Sequence, residues 1–226
     1  MKILLLGSGK TGSIVAELAA SRGHNVEALR SAQNPDGSGL TAERLRGVGA
    51  VIDFTTPHAV LRNIEACIAA KRNVVVGTTG WGHEQTRVRK LVQDAGTGLV
   101  YGANFSIGVN LFYDVARTAA AALRHQYSGQ IFERHHANKK DAPSGTASEL
   151  QKIIREASAT DLEITSFREG DVVGLHELVL NSPNDTIYLC HDAKSRRGFA
   201  EGAVRAAEWL EGKIGCFDFR DIWRDV

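Results

Sequence analysis

Proline and cysteine are scarce in this chain, with four and three copies in 226 residues, and aromatic residues make up only 7%. Cys67, Cys190 and Cys216 are odd in number, far apart and in no CxxC spacing. That argues against a disulfide framework and a thiolate metal site; no metal is expected, and reduced thiols in a cytoplasmic protein are the simplest account. Apolar runs are short, none approaching the roughly 18 residues of a membrane span. The chain starts directly in a strand and a glycine turn, without the pattern of a secretory signal. An excess of one charge is also missing: 27 Lys and Arg stand against 26 Asp and Glu. A nucleic-acid footprint is therefore not expected. Internal repeats and low-complexity segments are absent as well. The length allows a substantial core in one large or two modest domains, with a small molecule as the expected partner.

Met1 to Leu6 is an apolar run of strand length, followed at once by Gly7-Ser-Gly9-Lys-Thr-Gly12 and then by apolar residues at helical spacing through Ile14, Val15, Leu18 and Ala19. Glycines so spaced permit a tight turn, close backbone approach to a pyrophosphate and close helix–strand packing. Further strands are predicted over 24–29, 50–54, 73–76 and 99–101, with helical patterns over 59–70 and 84–95. Strands alternating with helices imply parallel βαβ units that bind ligands beyond the carboxyl ends of the strands. Three breaks occupy those ends: Asp53-Phe54-Thr55-Thr56-Pro57, Gly77-Thr78-Thr79-Gly80 and Gly102-Ala103-Asn104-Phe105-Ser106. The expected dinucleotide contacts are thus Gly7, Gly9, Lys10, Thr11, Gly12, Arg30, Phe54, Gly77, Thr78, Thr79, Ala103, Asn104 and Phe105. Where a ribose-binding carboxylate would end the second strand, this chain has Arg30. A guanidinium suits a 2′-phosphate, so NADPH is the expected cofactor and NADH the alternative.

The segment from Glu133 to Thr146 is richer still. It holds His135, His136, Lys139 and Lys140, then Asp141-Ala-Pro143-Ser144-Gly145-Thr146 at the predicted start of a helix over 147–157. A helix start presents unpaired amides and a partial positive charge, and Ser144, Gly145 and Thr146 lie where those amides fall. Histidine changes charge near neutral pH, and lysine is a flexible cationic donor. Together they suit a small polyanion that must receive a proton. Asp141 is expected to cap the helix or orient Lys139, and His176 to be a site residue or a strand histidine. The segments 163–167, 171–180 and 186–191 read as antiparallel neighbours, and 199–210 as a closing amphipathic helix.

These motifs, in this order, resemble the dihydrodipicolinate reductases of lysine biosynthesis. The likeness rests on Gly7 to Gly12, Asp53 to Pro57, Gly77 to Gly80, Ala103 to Ser106 and His135-His-x-x-Lys-x-Asp-Ala-Pro-Ser-Gly-Thr146. Gly174-x-His176, Ser195 to Ala203 and Phe217 to Asp221 extend it over nearly the whole chain. The resemblance implies an α/β architecture: an N-terminal Rossmann-like dinucleotide-binding domain, over 1–105 plus about 197–226, and a C-terminal mixed α+β domain for substrate binding and oligomerisation, over 106–196. It implies a homotetramer and a small dicarboxylate substrate, 4-hydroxy-tetrahydrodipicolinate, reduced to tetrahydrodipicolinate with NAD(P)H. By position, His135 and Lys139 look like the family's proton-donating pair, His136 like a substrate-binding histidine, and Gly145 and Thr146 like the holders of a substrate carboxylate. Two departures stand out. Gly9-Lys-Thr-Gly12 replaces the common Gly-Arg-Met-Gly, and the segment from Ser31 to Gly49, beside the expected adenosine pocket, is short. The alternatives are an oxidoreductase of the same architecture acting on another imine or carbonyl acid, and a non-catalytic NADPH sensor.

Overall fold

Strand β1 (Lys2–Leu6) sends Ile3 and Leu5 into one apolar core and Leu4 and Leu6 into a second. A strand buried on both faces belongs at the centre of a parallel sheet covered by helices on each side. That is its setting in the computed structural model, which describes residues 1–226. β2 (Asn25–Leu29), β3 (Ala50–Asp53), β4 (Asn73–Val76), β5 (Gly98–Tyr101) and β10 (Gly215–Asp218) complete a six-stranded sheet in the order β10-β5-β4-β3-β1-β2. Every pairing in it is parallel. Helices α1 (Lys10–Ser21), α2 (Val60–Ala69) and α3 (Gln85–Ala95) form the crossovers, and α3 stops at Gly96, whose φ of +65° is the left-handed cap that favours glycine. The closing pattern folds as α6 (Arg197–Trp209), which packs on α1, and α7 (Phe219–Ile222) follows β10. Strand order reverses around β1, with β2 on one side and β3 on the other, so the ligand crevice falls at the carboxyl ends of these strands. This unit comprises Met1–Ile107 and Arg196–Val226.

The second unit, Gly108–Ser195, holds a four-stranded sheet in the order β7-β6-β8-β9. Its strands are β6 (Ser128–His135), β7 (Ile164–Arg168), β8 (Leu175–Asn181) and β9 (Thr186–Asp192). Ile131, Leu178 and Leu180 pack on Leu150, Ile153 and Ile154 of α5 (Gly145–Ser158) and on Val109, Phe112 and Ala116 of α4 (Ile107–Ala119). Three expectations are corrected. β7 was expected beside β8 in an antiparallel set, but it pairs with β6 and is parallel to it, because α5 is a crossover between them. Residues 171–174 lie outside β8. Strand β6, expected over 128–132, runs on to His135, so Glu133 and His135 sit on the sheet rather than beyond its end. The fourth strand of the set, β9, pairs antiparallel with β8 through the Asn181–Thr186 turn as expected. No helix is long and apolar enough to cross a membrane.

Candidate active site

The glycine turn explains two of its own glycines and leaves the third to a ligand. Gly7 has φ +92°, and a Cβ there would stand 2.2 Å from the Phe54 carbonyl oxygen. A Cβ on Gly12 would stand 2.0 Å from the Gly7 carbonyl oxygen. Around Gly9, which caps α1 without a side chain, nothing lies within 4 Å of such a Cβ. Open backbone at a helix start is what close approach of a pyrophosphate requires, so the residues present fit a dinucleotide. Two cavities open along the carboxyl ends of the strands, one of them lined by this turn. A small one, about 70 Å³, is lined by Gly7, Leu29, Arg30, Ser31, Asn34, Thr55 and Thr56. The other, about 300 Å³, is lined by Val76, Thr78, Thr79, Trp81, Tyr101, Ala103 and Asp218.

Asp53, with no exposed surface, bonds a lining residue of each cavity, Thr55 and Thr78. Its Oδ1 accepts from Thr55 N (2.8 Å), Thr55 Oγ1 (2.7 Å) and Thr78 Oγ1 (2.8 Å), and its Oδ2 from Asn63 Nδ2 (2.8 Å). Asn63 Oδ1 in turn accepts from Asn34 Nδ2 at 2.8 Å. Burial pushes the Asp53 carboxyl up, against the pull of these donors. Thr78 therefore spends its hydroxyl on Asp53, and Phe105, expected at the cofactor, is a core residue packed between Phe54 and Phe219. Lys10, Thr79 and Ala103 are exposed, while Thr11, Phe54, Gly77 and Asn104 are half-buried. Arg30 is exposed at the rim of the small cavity, and Glu27, the carboxylate nearest in sequence, is occupied by Lys2 (3.0 Å) and Arg44 (3.4 Å).

In the second unit the inner face of the mixed sheet turns from apolar to charged within two residues, from Ile131 to Glu133. Glu133 is fully buried, and its Oε1 accepts from Ser144 N (3.0 Å), Ser166 Oγ (2.6 Å) and Arg168 Nη2 (2.7 Å). Its Oε2 lies 3.1 Å from His135 Nδ1 and 3.9 Å from His176 Nε2. The 3.1 Å approach is off the N–H direction, so it is an electrostatic contact rather than an aligned hydrogen bond. Leaving a buried acceptor so poorly served costs about 1–3 kcal/mol. Burial alone would raise the Glu133 carboxyl, but His135, Ser144, Ser166 and Arg168 hold it well below the usual carboxylate range. His135 and His176 are 7% and 4% exposed, with rings 5.1 Å apart. Burial, then the neighbouring His135, lowers His176 to about 3, so it is neutral at ordinary pH.

Donor atoms of Glu133, His135 and His176 lie within 4.8 Å of one another. A tetrahedral metal site with bonds of about 2.0–2.1 Å has ligand–ligand edges near ~3.3 Å. The wider spread, and the Arg168 cation already on the carboxylate, suit proton handling better than a metal.

Lys139 follows in the turn, where its Nζ donates to Asp141 Oδ1 (2.8 Å) and Oδ2 (2.9 Å). Burial raises the Asp141 carboxyl, yet the Lys139 ammonium leaves it lowered overall. Asp141 thus orients Lys139, and the cap of α5 is Ser144, whose hydroxyl accepts from Ala147 N at 3.2 Å. Ser144, expected among the anion ligands, has its N–H on Glu133 and its hydroxyl also 3.2 Å from His176 Nε2. It is buried, whereas Gly145 is exposed and Thr146 and His136 are half-buried. Sequence reasoning missed Glu133, Ser166 and Arg168. The spacing Glu133-x-His135 was a usable signal, since alternate residues of a strand share a face.

A doubly wound parallel sheet with an open glycine turn, covalently continuous with a unit that carries a buried carboxylate–imidazole cluster, defines a nicotinamide-dependent oxidoreductase. The chain belongs to the dihydrodipicolinate reductase family: residues 1–105 match its N-terminal domain and residues 108–223 its C-terminal domain. It is 35% identical over 242 aligned residues to the 4-hydroxy-tetrahydrodipicolinate reductase of Christiangramia forsetii, covering 100% of this chain and 99% of that one. Identity to the enzyme of the same name from Laribacter hongkongensis is 37%, over 76% of this chain and 72% of that one. The fold superimposes on a dipicolinate-bound dihydrodipicolinate reductase from Paenisporosarcina sp. TG-14 with a TM-score of 0.80 at 22% identity, covering 98% and 99% of the two chains.

Proposed function

We propose that this protein reduces 4-hydroxy-tetrahydrodipicolinate to tetrahydrodipicolinate with NAD(P)H, in the diaminopimelate and lysine route. The observation that carries this reading is the meeting, within one short segment, of an imidazole at the end of β6, an ammonium oriented by Asp141 and the open start of α5. When bound, the nicotinamide supplies the hydride. The chain's own residues do the rest. Gly145 and Thr146 receive a substrate carboxylate at the helix start, and His136 and Lys139 hold the ring. His135 gives a proton to the ring as hydride addition loads it with negative charge, a step of general acid catalysis that contributes about 10²–10⁴-fold, and the 4-hydroxyl leaves as water in the overall conversion. Ser144 shapes this site from inside as the cap.

For the cofactor we propose a preference for NADPH. Arg30 at the small cavity, and a Glu27 already held by two cations, support it. Arg30→Ala should weaken NADPH by about tenfold and NADH by much less. An unchanged ratio of the two dissociation constants would count against the phosphate contact. Assembly as a homotetramer is supported by the uncovered face of the mixed sheet, where Phe167 and Tyr188 are 40% and 56% exposed. The reaction itself is tested by coupling the product of dihydrodipicolinate synthase to loss of nicotinamide absorbance with each cofactor. Turnover of that product, and none of other cyclic imines or keto acids, is the expected result; the reverse pattern would redirect the assignment.

A further inference from the structure

Glu133 has been given no task in the reaction, yet one of its oxygens meets the residue that starts α5 and the other faces the imidazole of His135. Through Oε1 it fixes the Ser144 amide, the residue that starts α5. Through Oε2 it faces His135 Nδ1 at 3.1 Å, with no aligned donor taking that oxygen. Arg168 and Ser166 keep the carboxylate in place from β7, both on Oε1. The second imidazole within reach, His176, is engaged with the Ser144 hydroxyl at 3.2 Å. On the other side of the ring Nε2 lies against Gly174, where a Cβ would stand 3.1 Å from it, so the glycine leaves that nitrogen less crowded than a larger residue would. One oxygen is thus saturated by structural donors, and the other is held in reserve opposite the nitrogen that a catalytic imidazole must have oriented.

We propose that Glu133 is the positioning residue of the proton transfer: its Oε2 holds the Nδ1–H of His135, so that Nε2 is the atom that donates, while its Oε1 sets the carboxylate-binding helix start from the same anchor. This rests on the reaction proposed above and deepens it. In the step, the Nε2–H bond of the doubly protonated imidazole breaks and its electron pair stays on Nε2. The proton goes to the ring carbon or nitrogen that bears the charge delivered with the hydride. His135 is left neutral, still carrying its Nδ1 proton toward Glu133, and solvent water later restores the Nε2 proton. A carboxylate behind the ring fixes its orientation and tautomer, and it does not itself take up the proton. The misaligned contact in the ligand-free protein is the usual state of catalytic hydrogen bonds, which tighten when substrate binds.

The test pairs kinetics with imidazole nitrogen NMR on the full-length protein. Glu133→Gln keeps the volume and a carbonyl acceptor for Ser144 and Ser166 but removes the charge. It should lower kcat by at least about 100-fold, with substrate KM and cofactor Kd within about threefold of the parent. In a His135→Ala background the same change should lower kcat by less than about threefold, because the two groups act as one unit. A purely structural Glu133 would instead multiply the two losses, and that result overturns the proposal. Folding of the variant is not needed for the remaining measurement. In the unmutated protein His135 should carry its proton on Nδ1 when neutral, and a neutral ring protonated on Nε2 alone overturns the assignment. An unmutated protein that fails to turn over the substrate removes the reaction reading; a Glu133→Gln variant with unchanged kcat removes only this one.

Discussion

Asp53 and Glu133 are both carboxylates without exposed surface, each on an interior strand of its sheet, and their surroundings could hardly differ more. Asp53 is served on both oxygens by neutral donors, Thr55, Thr78 and Asn63, and burial leaves its carboxyl raised. Glu133 has a guanidinium on one oxygen and imidazoles near the other, and its carboxyl is lowered. The donors to Asp53 come from two different loops and from helix α2, so its saturated network joins them. Those to Glu133 serve one oxygen only. A completed buried network rigidifies a scaffold, whereas an incomplete one is costly and persists where the surrounding structure enforces it for chemistry. The two sheets divide labour accordingly, one holding loops still for a cofactor and the other keeping a charge available.

The comparison can be broken at three points. The largest effect is expected from His135→Ala and Lys139→Ala, each lowering turnover by at least about 100-fold with cofactor affinity nearly unchanged. Full activity in either variant would remove that residue from the proton-donating pair. Next comes Asp53→Ala, which removes the closest acceptor of the Asn63 amide and of the Thr55 hydroxyl. It should cost about 2–4 kcal/mol in urea unfolding and weaken cofactor binding, while kcat at saturation changes little. A collapse of kcat with intact stability would erase the distinction between the two carboxylates. The smallest effect is the acid dependence carried by His176. Its value of 6.5 in the unfolded chain falls to about 3 in the fold. Between those values the unfolded state binds the proton and the folded state does not, so stability falls as pH drops from about 6.5 toward 3. His176→Gln lacks that loss. The stability gap between parent and variant should therefore narrow steadily from pH 7 to pH 4, and a constant gap would contradict it.

Much of this was legible along the chain, for physical reasons that also mark where legibility stops. Strands β1, β3 and β4 announce themselves because each carries a short Val, Ile or Leu run ended by Gly or Asp, and β4 falls at 73–76 as expected. The proton-handling segment was visible because its residues are contiguous. Its partners Ser166 and Arg168 were not, since they reach Glu133 from β7, and strand pairing over such distances leaves no fixed spacing. The antiparallel expectation for β7 failed because the segment was read as one meander, although a strand–helix–strand passage through α5 requires a parallel return. β10 escaped notice because Gly-Cys-Phe-Asp is only four residues long and carries no Val, Ile or Leu run.

The side-chain amide of Asn34 bonds to Asn63, and its carbonyl accepts from Gly39 N at 3.0 Å, so the short segment after β2 is fastened to the same buried post as the Gly77–Gly80 turn. Anyone transplanting an adenosine-pocket loop from a relative to retune coenzyme choice would therefore be editing a mechanical linkage as well as a rim. A graft that keeps an asparagine at position 34 should leave the far end of the crevice in register. One that discards it would loosen both ends at once, and the altered preference would come with a slacker grip on either coenzyme.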